Sequence, residues 1–104
     1  MNNLWELPNP LPTQEHFDVL LQTSTITVER IISTGQVTPL GQWYNQDRAE
    51  WVVLLQGSAQ IIYHTGEVFN LLKGDYLLIA AHQKHRVSFT SQDPPCIWLA
   101  LHLD

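Results

Sequence analysis

Four side chains of this chain have the types and the placement to do chemistry together: Glu50, His82, His85 and His102. Imidazoles and a carboxylate are the ligands that borderline divalent metals take, and this set suits Zn, Fe, Ni or Mn without choosing among them. A metal held there would polarise a small oxygenated molecule such as a sugar or an organic acid, with Glu50 as the catalytic acid or base. The same groups without a metal would form a small-molecule pocket, or belong to a module that only dimerises. Each also has a plainer reading. His82 fits a turn, His102 fits a satisfied core or interface histidine, and a buried Glu50 needs only a donor such as Arg48 or a backbone N–H.

The elements that must position these groups read as strands. Segments 17–21, 26–33, 50–56, 59–63, 68–71, 76–80, 85–90 and 97–103 are short, rich in β-branched and aromatic residues, and separated by turn residues. His64-Thr65-Gly66-Glu67 is a hairpin signal, and no segment carries a helical period. Side chains alternate along a strand, so Glu50, Val52 and Leu54 share one face, and His85, Val87 and Phe89 share another. His102 alternates with Trp98 and Ala100, opposite Ile97, Leu99, Leu101 and Leu103. If the Trp98 face looks inward, His102 reaches the cavity of Glu50 and His85. A slip of one residue would exchange the two faces.

Composition narrows the function classes. The 104 residues suffice for one domain, 44% are apolar and only 14% are charged. A net charge of −5 argues against nucleic acid and against anionic membrane surfaces. The single Cys96 cannot form an internal disulfide and reads as a buried thiol. No segment reaches the length and apolarity of a membrane helix, and the first residues lack a secretory pattern, so a cytoplasmic protein is expected. Prolines 8, 10 and 12 mark residues 1–13 as an extended arm, ahead of one barrel domain over 14–104. The sparse surface charge leads us to expect a homodimer. Asp47, Arg48, Asp75, Lys84 and Arg86 read as a solvated rim.

Residues 36–103 resemble the cupin family. Its first motif has the form G-x5-H-x-H-x(3,4)-E-x6-G, and its second the form G-x5-P-x-G-x2-H-x3-N. Glu50 and Gly57 match the end of the first motif, and Gly74 and His85 match the second. The resemblance implies an all-β fold, a single small barrel of antiparallel strands with a pocket, and His85 and Glu50 as metal ligands. The two histidines of the first motif are replaced, by Tyr44 and Gln46 or by Trp43 and Asn45 according to the spacing used. In the second motif Ala80, His82 and Phe89 stand where proline, glycine and asparagine are usual. The pocket is expected to open near residues 43–47 and 82–85.

Overall fold

A computed structural model describes residues 2–104. Eight strands follow one another: β1 (His16–Gln22), β2 (Ile26–Ser33), β3 (Ala49–Gln56), β4 (Ala59–Tyr63), β5 (Val68–Leu71), β6 (Tyr76–Ile79), β7 (His85–Thr90) and β8 (Cys96–Leu103). All pairings are antiparallel. One sheet has the order β1-β2-β8-β3-β6 and faces a smaller one ordered β5-β4-β7. The segment before β3 extends the small sheet. Thr38 N–H donates to Val87 O at 2.8 Å, and Tyr44 and His85 exchange backbone bonds of 2.8 and 3.1 Å. These bonds satisfy the free edge of β7, which would otherwise be open.

The core lies between the sheets and is built from the inward rows. Val52 and Leu54 of β3, Ile61 of β4, Ile79 of β6, and Trp98 and Ala100 of β8 are all buried. The register pairs Leu54 with Trp98, Val52 with Ala100 and Glu50 with His102. Trp98 therefore faces inward, and His102 shares its side of the sheet. The hairpin at residues 64–67 closes with Tyr63 N–H donating to Glu67 O at 2.9 Å.

Two departures from simple alternation matter. On β7 the register against β4 shifts, with Ile61 opposite Val87 and Gln60 opposite Phe89, so Ser88 is an extra residue. The bulge turns Phe89 outward, 50% exposed, and Thr90 inward. The expectation that Phe89 shares the face of His85 is thereby corrected. A second bulge, at Leu20, interrupts β1. This edge strand is largely exposed along Phe17, Val19, Leu20 and Leu21, because the five-stranded sheet overhangs the three-stranded one.

The early residues run against β2. Arg30 donates to Leu4 O at 3.1 Å and Glu6 O at 2.6 Å while holding Asp18 Oδ2 at 2.6 Å, and Thr34 Oγ1 donates to Pro12 O. Gly57, the glycine of the first motif, shows why that position resists a side chain. Its φ is +91°, and an added Cβ would lie 2.6 Å from Ser91 Oγ and 3.1 Å from Cys96 Cα. Cys96 is buried, and its thiol lies 3.2 Å from Ser58 O, in keeping with a structural thiol.

Candidate functional site

Between the sheets, at the end where β3 begins and β8 finishes, lies a cavity of about 120 Å³. Glu50, His85 and His102 line it, as do Tyr44, Gln46, Glu15 and Glu29. His85 is 4% exposed and Glu50 8%. His85 Nδ1 lies 2.8 Å from Gln83 O. A carbonyl only accepts, so Nδ1 carries a proton, and Nε2 is the nitrogen that accepts in the neutral form of the ring. Nε2 stands 4.0 Å from Glu50 Oε1, beyond hydrogen-bond reach. The Tyr44 ring stacks on the imidazole with centroids 5.5 Å apart.

The three carboxylates differ in how they are held. Glu15 Oε2 accepts from Ser33 Oγ at 2.9 Å, and Glu29 Oε1 lies 2.9 Å from His102 Nε2. No hydrogen bond reaches the Glu50 carboxyl from any described residue. Burial pushes the Glu50 carboxyl above its ordinary range; His102 and His85 oppose this, and Glu29 adds to it. Burial also raises Glu15, against the pull of the Ser33 bond, and Tyr44 is raised by burial and then by Glu15. Gln46 Oε1 is buried without a partner as well.

The expected site residues divide. Glu50, His85 and His102 come together, whereas His82 does not join them. His82 is exposed in the turn before β7, with Nδ1 3.1 Å from Asn45 Oδ1. Its φ of +64° is that of a glycine position, which is what the second motif usually places there. Arg48 is no donor to Glu50: it binds Asp104 at 2.7 Å, Thr27 Oγ1 at 3.1 Å and His102 O at 2.9 Å. Tyr44 and Gln46, not Trp43 and Asn45, occupy the places of the missing histidines. Trp43 instead meets His64 edge-on outside the cavity, with centroids 4.8 Å apart.

Reasoning from sequence missed Glu15 and Glu29. The signal for Glu29 is its place two residues before Ile31, on the row that must face inward if Ile31 does.

As arranged, these residues do not fit a divalent metal. Two ligands of a tetrahedral zinc lie about 3.4 Å apart, given bonds of roughly 2.1 Å, against the 4.0 Å between His85 and Glu50. His102 Nε2 is engaged by Glu29, and among the described residues no three His, Cys, Asp or Glu side chains form a metal-holding group.

The fold and the replaced motif define a small single-domain cupin. The sequence matches the family described as cupin domain over residues 31–102, and the chain belongs to that family. Among solved structures it is similar to a protein of Ralstonia eutropha JMP134 named provisionally as a mannose-6-phosphate isomerase, at 38% identity, TM-score 0.93, and coverage of 100% of this chain and 97% of that one. It also resembles a cupin superfamily protein of Desulfitobacterium hafniense DCB-2 (18% identity, TM-score 0.73, 98% of each chain). An RmlC-like cupin of Desulfovibrio desulfuricans is similar at 13% identity and TM-score 0.74, covering 98% of this chain and 94% of that one. These last two speak to the fold alone. No curated protein matches in sequence. No helix is long and apolar enough to cross a membrane.

Proposed function

We propose that this cupin binds a small oxygenated molecule between Glu50 and His85, and that Glu50 is its acid-base group. The observation that carries this reading is a carboxyl 8% exposed, without a hydrogen bond, lining a cavity and raised by burial above the ordinary carboxylate range. A carboxylate in that state is a stronger base than one in water, suited to taking a proton from a carbon beside a carbonyl. The Tyr44 ring and the Gln83 carbonyl orient His85, so that Nε2 is the nitrogen offered to a substrate hydroxyl.

The hexose phosphate in the name of the Ralstonia relative fits this cavity poorly. Its lining holds three carboxylates and neither lysine nor arginine, and about 120 Å³ has room for roughly four waters. A small unphosphorylated oxygenated molecule is the better match. The test is incubation with dihydroxyacetone in D2O, following deuterium at carbon by NMR. Exchange above the buffer rate that disappears in Glu50→Gln supports the reading; exchange equal in the two proteins contradicts it.

A second reading has one observation in its favour. His85 Nδ1 bound to a carbonyl leaves Nε2 toward Glu50, the orientation in which imidazoles hold metals. A divalent metal, Zn, Fe, Ni or Mn, would sit on His85 and Glu50 only once the two close in from 4.0 Å, with His102 leaving Glu29 to complete the set. Elemental analysis decides this: near one metal per chain, lost in His85→Ala, supports it, and background metal in both after incubation with each ion excludes it. For the assembly we propose a homodimer that covers exposed β1, and for the setting a cytoplasm, with which the lone buried thiol agrees.

A further inference from the structure

We infer that the molecule bound in this cavity is a small organic cation, a primary ammonium carried on a hydroxylated chain of a few carbons. This rests on the reading that the cavity binds a small oxygenated molecule, and it names the charge of that molecule. The cavity holds unmet hydrogen-bonding capacity. Glu50 is 8% exposed and its carboxyl accepts no bond from a described residue. Gln46 Oε1 is buried without a partner. His85 Nδ1 donates to Gln83 O, which makes Nε2 the acceptor in the neutral form of the ring, and Nε2 lies 4.0 Å from Glu50 Oε1. With the imidazole in its neutral form, three residues that line one cavity each carry an acceptor without a donor.

An ammonium supplies three donors and a charge from a single atom. An anion would supply none, and a neutral hydroxyl would supply one. The charge around the cavity agrees. Glu15, Glu29 and Glu50 surround it, the remaining titratable groups are His85, His102 and Tyr44, and no lysine or arginine lines it. The fixed pairs do not compete for the ligand, since Glu15 is taken by Ser33 and Glu29 by His102. Tyr44 and Trp98 add aromatic rings to the lining.

The experiment uses three probes of one shape and different charge: 3-aminopropane-1,2-diol, glycerol and glycerate. Each is titrated into the full-length, chelator-treated protein and followed by the indole N–H signal of Trp98, which lines the cavity and donates to Ser33 Oγ at 3.2 Å. The expected result is that the amine binds at least about tenfold more tightly than glycerol, as charge-assisted bonds exceed neutral ones, and that glycerate binds weakest. Glu50→Gln should bring the amine to the level of glycerol and leave glycerol unchanged. Gln46→Leu, a milder change to the fold, should weaken the amine more than glycerol. Equal binding of amine and glycerol overturns the cation inference and leaves the small-molecule reading standing, as does tightest binding of glycerate. A Trp98 signal unmoved by all three overturns both.

Discussion

The two ends of the barrel interior are built from the same strands and behave as different materials. At one end Leu54, Ala59, Leu71 and Cys96 fill the space between the sheets. At the other, two steps along the same inward rows, Leu54 and Val52 give way to Glu50, Trp98 and Ala100 to His102, and Val87 to His85. The apolar end is closed by packing, and the polar end keeps a cavity. A pleated sheet allows this because each inward position is chosen independently, and the difference teaches where stability and function are stored. The apolar end holds the sheets together, while the polar end carries a buried carboxyl that the fold tolerates at a cost.

The comparison would break first at the apolar end. Leu54→Ala removes a fully buried side chain and should cost about 2–5 kcal/mol, read from the urea midpoint. A loss under about 1 kcal/mol would mean that this end is not the structural one. Gly57→Ala comes next. A methyl 2.6 Å from Ser91 Oγ at a φ of +91° should destabilise by roughly 1–3 kcal/mol, and an unchanged midpoint would contradict the close approach.

The polar end should respond with the opposite sign. Burial raises Glu50 above its unfolded value, so the folded state binds its proton more tightly. Its contribution is therefore fullest below the unfolded value and is lost as pH rises through the folded one. Glu50→Gln should then stabilise the protein by about 1 kcal/mol near pH 8, roughly 4–8 °C in Tm, with no gain near pH 4. Asp18 works in the other direction. Burial acts to raise it, but its bonds to Arg30 and His16 bring it below the ordinary range, so the difference between wild type and variant, rather than either curve, isolates Glu50. A variant less stable at pH 8 would show that the carboxylate has a partner. The smallest effect belongs to His82→Gly: relief of φ +64° offsets loss of the Asn45 contact, giving a change within about 0.5 kcal/mol and no change at the Trp98 indole signal.

Much of the fold was legible in the residues because strand period and turn chemistry are local. The hairpin at 64–67, the inward row Glu50, Val52, Leu54 and the glycine at 57 needed no tertiary information. Phe89 was misplaced because the bulge at Ser88 arises from pairing with β4, which alternation within one strand does not register. The candidate site was legible in part. Glu50 and His85 are named by their motif, but the choice between Tyr44 and Trp43 needed the backbone bonds of Tyr44 with His85. Glu15 lies outside every strand, so no period could point it inward.

The central claim is that Glu50 is a buried carboxyl without a hydrogen-bonding partner, and the titration of its side-chain carbon by 13C NMR on glutamate-labelled protein tests it most directly. Assignment comes from the signal missing in Glu50→Gln. The account predicts a midpoint clearly above that of an exposed glutamate. A midpoint at or below the ordinary carboxylate range would mean that a donor or cation of the protein already satisfies Glu50, and would contradict the site described.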